Sequence, residues 1–379
     1  MPAKHVSVAD RLLGWYDLHR RDLPWRAKLG EAPNPYRVWL SEVMLQQTTV
    51  AAVRPRFEAW VARWPDVASL AAADEAEVMA AWAGLGYYAR ARNLVRTARA
   101  VAADHGGAFP SIEAELRRLP GLGDYTAAAV AAIAFEERAV VVDANVERVV
   151  ARLRAIEKPL PSARPVIRAA ADAITSAERP GDFAQGMMDL GATICTPRAP
   201  RCLLCPLRAD CAAYAGGAPE RLPVKPAKRA KPQRYGTIFW LLRHPEPVPG
   251  PMAVRVPTPQ GAHDDGPRNK SAVTGGGAGA EVWLVRRPAR GLLGGMRALP
   301  TGPWESTPPG LADAPAVADW RILPAAVDHG FTHFDLRLQL AVTAGEPQGK
   351  GEWWPADDLA SAGLPTLFAK AAAVVRSTT

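Results

Sequence analysis

Cysteine is scarce in this sequence of 379 residues: four occur, and all of them fall between Cys195 and Cys211. Confined to one short stretch, they cannot staple distant parts of a fold, which excludes the disulfide framework of a small secreted domain. Long apolar runs are missing as well. No stretch reaches the roughly 18 residues of a membrane span, and Met1 to Arg26 carries an amphipathic helical pattern rather than that of a signal peptide. An intracellular protein with no membrane association is expected. Acidic residues fall short of basic ones, 38 against 46, leaving a formal charge of +8. Clustered Lys and Arg gain from the counterions they release on a polyanion, so this imbalance favours a nucleic-acid partner.

With 48% apolar and 22% charged residues, the chain has enough hydrophobic material for two separate cores. From Ser7 to about Tyr214 apolar residues recur at helical spacing, as in Leu12-Leu13-Trp15-Tyr16, Val38 to Leu45, Val78 to Trp82, and Val146, Val149, Val150, Leu153. Gly84 and Gly86 follow one helix, Gly106-Gly107 follow another, and Ser111 is placed to cap the next. This part, 1–214, is expected to be mainly α. Between Ala215 and Arg234 the composition shifts to Gly, Pro, Lys and Arg, which suits an extended, charged connector over 215–234. Beyond it, Gly236 to Leu242, Glu281 to Arg286 and Leu336 to Val342 are short β-rich or alternating runs, so 235–379 is expected to form a mixed α/β domain. Within that domain the Pro- and Gly-crowded stretch 244–280 is expected to be a disordered insertion.

The cysteines have the spacing C-x6-C-x2-C-x5-C at Cys195, Cys202, Cys205 and Cys211. Four thiolates so close in sequence can converge on one centre, either a 4Fe-4S cluster or a tetrahedral zinc, and spacing alone does not separate the two. Arg198, Arg201 and Arg208 sit inside or beside these loops, where they could reach phosphates.

Upstream, Leu119-Pro120-Gly121-Leu122-Gly123-Asp124 joins two helical segments, Ile112–Leu119 and Tyr125–Phe135. Gly121 and Gly123 allow a tight backbone there, and the N–H groups opening the second helix can bind phosphate whatever the base. Asp143 follows Gly123 by 20 residues, in Val141-Val142-Asp143-Ala144-Asn145-Val146. A second carboxylate, Glu42, lies in the apolar run Val38-Trp39-Leu40-Ser41-Glu42-Val43-Met44-Leu45-Gln46-Gln47-Thr48. An acid in such a run either snorkels to solvent or is held in a dry pocket with a raised pKa, the condition for a general acid near neutral pH.

These motifs together resemble the MutY family of adenine DNA glycosylases. The resemblance is carried by WLSEVMLQQT, by the hairpin followed by Asp143, by QGMMDL at Gln185 to Leu190 and by the cysteine spacing. It implies a helix-hairpin-helix glycosylase part, with a six-helix module and a cluster module, followed by a C-terminal α/β Nudix-like domain. It also decides for a 4Fe-4S cluster on Cys195, Cys202, Cys205 and Cys211. The resemblance makes Glu42 the acid that protonates adenine at N7 and later the base for water, and Asp143 the carboxylate that stabilises the cationic sugar and bonds C1′ transiently. Two carboxyl groups with divided roles suit an oxocarbenium-like transition state. Asn145 and Tyr125 are implied to orient this centre. Ala144 stands where relatives often carry Gly. Asp189 is read as a structural acid.

Adenine must leave the stack to be reached, and Gln47 and Tyr87 match the family's wedge residues, whereas Tyr88 is read as core. Tyr125 stands where endonuclease III-type lyases carry a Schiff-base lysine, so little lyase activity is expected. In the C-terminal part, Phe331-Thr332-His333 resembles the family's 8-oxoguanine recognition loop, and Gly291 to Arg297 its strand-connecting loop. No REx2E-like run follows Gly291, so this domain is expected to bind rather than hydrolyse nucleotides. The implied partner is double-stranded DNA with A:8-oxoguanine or A:G mispairs, bound by a monomer in the cytoplasm and, in a bacterium, at the nucleoid. Two other classes are disfavoured. A bifunctional endonuclease III-like pyrimidine glycosylase conflicts with Tyr125 and the C-terminal domain, and a silent damaged-DNA-binding protein with the presence of both carboxylates.

Overall fold

The computed structural model describes residues 6–28, 30–226, 230–243, 279–288 and 291–378. The insertion expected at 244–280 lies outside the described residues as far as 278. Two compact units form, one of Met1–Val78 with Tyr87–Lys228 and the other of Met79–Gly86 with Arg229–Thr379.

Helices build the first part of the chain: α1 Val8–His19, α2 Pro35–Leu45, α3 Val50–Arg63, α4 Val67–Ala72, α5 Glu75–Ala81, α6 Ala89–Asp104, α7 Glu113–Leu116, α8 Asp124–Phe135, α9 Ala144–Leu153, α10 Arg164–Asp172, α11 Pro180–Thr193 and α12 Ala212–Ala215. Ser7 and Asp10 form a reciprocal cap on α1. The amphipathic pattern read through Arg26 stops at His19, and Leu23 to Arg26 instead close a turn in which the Arg26 N–H bonds the Leu23 carbonyl at 2.9 Å. In α2, Asn34 caps the Arg37 N–H and Pro35 occupies the first turn. Apart from Arg37, every residue from Tyr36 to Met44 is buried, so this helix runs through the core rather than over it. Its neighbour α8 is buried without a break from Thr126 to Ile133, and its run of alanines lets both α2 and α11 pack on it.

Two local expectations change. Ser111 does not cap α7: the helix begins after Ile112, without a side-chain cap there, and the Glu113 N–H is satisfied by the Glu137 carboxylate at 2.9 Å. A distant acid has taken the role of a local hydroxyl. In the stretch read as an extended connector, Leu222 is buried, its carbonyl accepts from Arg152 Nε at 3.0 Å, and the Val224 carbonyl accepts from the Leu160 N–H at 2.9 Å. These bonds tie the stretch to the helical unit as far as Val224.

The second unit is a mixed α/β fold of β1 Gln233–Arg243, β2 Glu281–Arg286, β3 Arg297–Ala298, β4 Arg321–Gly330, β5 Asp335–Ala344, β6 Glu352–Pro355 and α13 Thr366–Thr378. Strand order is β3-β2-β1-β5-β4, with β6 also on β2. β1 runs parallel to β5 from Gln233 opposite Asp335 to Leu242 opposite Ala344, and the other pairs are antiparallel. Ile238, Trp240 and Leu242 of β1 pack with Leu367, Phe368 and Val375 of α13, whereas Leu241 meets Trp283 and Trp320 on the other face. Alternation along one strand thus feeds two cores. β4, which sequence patterning does not reveal, contains Pro324 and a register shift between Ile322 and Ala326, both tolerated because it is an edge strand.

Candidate active site

Glu42 is buried, 7% exposed, and accepts a hydrogen bond of 2.5 Å from the Tyr125 hydroxyl on its Oε2. It does not snorkel. Helix α2 carries it into the core and α8, packed alongside, brings Tyr125 to it. Burial pushes the Glu42 carboxyl up to about 7, with the nearby Asp143 charge adding to the rise, while the Tyr125 bond and Arg26 oppose it. Burial likewise raises the Tyr125 phenol, helped by the charges of Glu42 and Asp143, so it stays protonated and donates.

Asp143 is the N-cap of α9. Its Oδ1 accepts from the Val146 N–H at 2.7 Å and its Oδ2 from Asn145 Nδ2 at 2.9 Å. Asn145 Oδ1 in turn accepts from Arg148 Nη2 at 3.0 Å, and Arg148 also donates to the carbonyls of Gly191 at 2.6 Å and Cys195 at 2.7 Å. Gly191 is required here, because a Cβ would sit 2.6 Å from that of Asn145. The fold therefore joins three of the four residues read as catalytic through charge, since both Glu42 and Tyr125 feel Asp143, and the fourth fixes the carboxylate's orientation.

Beside Glu42 opens a cleft lined by Arg21, Leu23, Trp25, Arg26, Val38, Ser41, Leu45, Val50, Ile133, Gln185 and Met188. Apolar walls with a few polar groups and one proton-bearing acid suit a flat, weakly basic ring. Sequence reasoning missed the segment from Arg21 to Arg26, because it has no periodicity; two arginines around an otherwise apolar Leu-Pro-Trp were the available signal. Asp189, on α11, is fully buried and pairs with both arginines.

Gln47 and Tyr87 are exposed and both take left-handed backbone conformations, φ 55° and 48°. Such geometry is unusual for a side chain larger than glycine. One guanidinium serves both segments: Arg90 donates to the carbonyls of Val43 at 2.9 Å, Met44 at 3.0 Å and Gln46 at 2.6 Å, and lies 5.6 Å from the Tyr87 ring centroid. Tyr88 is buried, as read. In the hairpin, Gly121 has φ 80°, and a Cβ there would meet Asn93 at 2.6 Å, whereas Gly123 has an ordinary φ of −87° and leaves its exposed position free of side chain at the start of α8.

Cys195, Cys202, Cys205 and Cys211 follow α11, with Cys202 opening one short 3-10 turn, Cys205 closing it and Cys211 closing a second, and all four are half-buried and unpaired by disulfides. Among the described residues no set of His, Cys, Asp or Glu is arranged to hold a metal ion. Burial pushes the Cys205 thiol up to about 11 and raises Cys202 and Cys211, and the charge of the other cysteines adds to each rise. The thiols thus lie near enough to feel one another's charge, and the donor set they offer is sulfur alone. Positive charge is at hand, since the buried Arg152 donates to Cys195 Sγ at 3.3 Å and to the Thr196 carbonyl at 2.7 Å. Arg198, Arg201 and Arg208 are exposed around it.

In the second unit, Phe331, Thr332 and His333 form the turn between β4 and β5, closed by the Phe331 N–H to the Phe334 carbonyl at 2.9 Å. Phe331 is an anchor, stacked 5.5 Å from Trp304 and with its carbonyl accepting from Lys231 Nζ at 2.6 Å. Thr332 and His333 are exposed on the turn.

Two family descriptions match the chain: an HhH-GPD superfamily base excision DNA repair protein over residues 40–174, and a NUDIX domain over 276–373. An adenine DNA glycosylase of Homo sapiens is 39% identical over 322 residues, covering 80% of this chain and 59% of the relative. One from Mycobacterium tuberculosis is 43% identical, over 54% of this chain and 66% of the relative. One from Buchnera aphidicola is 34% identical, over 62% of this chain and 69% of the relative. The chain spans about three-fifths of the length of the human relative. With two-thirds of the Buchnera enzyme's length covered, a base-excision-repair match over the Glu42–Asp143 region and a NUDIX match after it, the chain belongs to the MutY family of adenine DNA glycosylases.

Proposed function

We propose that this protein is a monofunctional DNA glycosylase of base excision repair that flips adenine out of pairs with 8-oxoguanine or guanine and hydrolyses its N-glycosidic bond. The observation that carries this reading is the buried Glu42 carboxyl, held by Tyr125 beside an apolar cleft and within the field of Asp143. Glu42 gives its proton to N7 of the purine as the C1′–N9 bond breaks and its electron pair leaves with the base. The Asp143 carboxylate faces the positive charge that develops on the sugar. Water then bonds C1′, and its proton returns to Glu42. Tyr125 and Asn145 hold the two carboxyl groups in place. Gln47 and Tyr87 fill the space left in the stack, and the backbone around Gly121 and Gly123 takes a phosphate at the start of α8.

A 4Fe-4S cluster fits Cys195, Cys202, Cys205 and Cys211, whose donor set is sulfur alone. Bound there, it would supply rigidity to the loop that presents Arg198, Arg201 and Arg208 to DNA.

The test is base release from duplexes containing A:8-oxoguanine, A:G or thymine glycol. Adenine release from the first two, with little strand cleavage and no borohydride-trapped adduct on an abasic duplex, is expected. Release from thymine glycol with β-elimination would establish the bifunctional alternative, and no release from any duplex the silent binding protein.

Recognition of 8-oxoguanine is assigned to Thr332 and His333 on the turn anchored by Phe331. His333→Ala is expected to weaken discrimination between A:8-oxoguanine and A:G by about tenfold, the order of one lost base-edge contact. Single-turnover rates on the two duplexes measure it, and equal loss on both would remove His333 from that role.

A further inference from the structure

Asp189 stands out among the buried acids, because nothing in the chemistry above uses it. It is 0% exposed on α11, one turn beyond Gln185 and next to Met188, both of which line the cleft. Its Oδ1 accepts from Arg21 Nε at 2.7 Å and Arg26 Nη2 at 2.7 Å, and its Oδ2 from Arg26 Nη1 at 2.6 Å and the Arg21 backbone N–H at 3.2 Å. The pair with Arg26 is bidentate and its partner is itself buried, with 6% of that side chain exposed. Arg21 to Arg26 has no helix or strand of its own, so its shape depends on this carboxylate, which grips it at both ends. That segment supplies four lining residues of the cleft: Arg21, Leu23, Trp25 and Arg26.

From this geometry we propose that Asp189 is a positioning residue for adenine excision, one that fixes the Arg21–Arg26 wall of the base pocket and neutralises the Arg26 cation beside Glu42. The proposal rests on the glycosylase reading of the Glu42 cleft. Although burial works against the Asp189 charge, the two arginines hold its carboxyl below the usual range, so it stays ionised. Arg26, for its part, draws down the proton affinity of Glu42. The groups that act on Glu42 are Tyr125, Asp143 and Arg26, from α8, the α9 cap and the wall segment. Of these, only Arg26 favours the ionised acid through its charge. Balanced by Asp189 the pull is partial, and left unbalanced it would strip the general acid of its proton at neutral pH.

The test is the pH dependence of single-turnover adenine release from an A:8-oxoguanine duplex by the full chain. Asp189→Asn is expected to move the alkaline fall in rate downward by about one pH unit, within the range that a close charge imposes. An unchanged midpoint in a variant that unfolds cooperatively would overturn the proposal. Should Asp189→Asn fail to fold, Asp189→Glu keeps the charge but displaces both arginines. It is expected to keep the wild-type midpoint while losing about tenfold or more of the plateau rate, since misplacement of about 1 Å costs that much or more. A wild-type plateau in Asp189→Glu would also count against the proposal. Failure of the wild-type protein to release adenine would sink the glycosylase reading itself and is separable from either result.

Discussion

Asp143→Asn is expected to slow single-turnover adenine release by about 10³-fold, while leaving the fold intact. The reason lies in the two jobs of this side chain. As N-cap of α9 its Oδ1 accepts from the Val146 N–H, and Asn caps a helix about as well as Asp, so the cap survives and only the bond from Asn145 Nδ2 to the second oxygen is lost, at a cost of about 1 kcal/mol. As a charge, it faces a sugar that becomes cationic when the base departs, and a preorganised group at developing charge is typically worth about 10²–10³ in rate. The substitution removes the charge and keeps the shape. Single-turnover assays with a thermal melt as control measure this. A variant that still melts cooperatively and loses less than about tenfold in rate would remove Asp143 from the mechanism, against the 10²–10³ expected of such a group.

The second large effect concerns Glu42. With its carboxyl raised to about 7, chiefly by burial, the acid carries a proton below that pH and loses it above. Excision should therefore fall about tenfold per pH unit on the alkaline side of about 7. The same shift has a consequence for stability. A carboxyl raised on folding from 4.5 to about 7 favours the folded state fully below 4.5, and this contribution is lost as pH rises through 7, where folding must hold a buried charge. Glu42→Gln has no charge to hold. Relative to wild type it should gain stability on the order of 3 kcal/mol at pH 8 and nothing at pH 4, while losing excision at both. Denaturant melts at the two pH values measure the first part. A constant difference between the variants across this window would mean that Glu42 titrates normally and is not the proton donor.

How much of this was legible in the sequence depends on distance along the chain. The helices α2, α8 and α9 and the strands β1, β2 and β5 were readable because periodicity and local caps decide them, as with Asp143 itself, a side chain that both caps and carries charge. Glu42 could be read only as one of two alternatives, since burial is decided by α8 packing on α2 and not by the residues around it. Arg21 to Arg26 was invisible, because its shape comes from Asp189, more than 160 residues away. The same holds for Ile112 replacing Ser111 at the start of α7, where Glu137 supplies the acceptor, and for β4, whose Pro324 and bulge erase the alternation of an edge strand. Nothing in the local sequence of Arg90 or Arg148 reveals that each gathers carbonyls from a distant segment.

The most direct test of two carboxyl groups working on one nucleotide is affinity for a duplex that carries, opposite 8-oxoguanine, a cationic pyrrolidine in place of the deoxyribose. A mimic of the transition-state charge should bind the wild-type protein at least about 10²-fold more tightly than the neutral tetrahydrofuran analogue, the lower end of what such mimics gain. Asp143→Asn should abolish that preference and Glu42→Gln preserve most of it. Equal binding of the charged and neutral sugars by the wild-type protein would contradict the account.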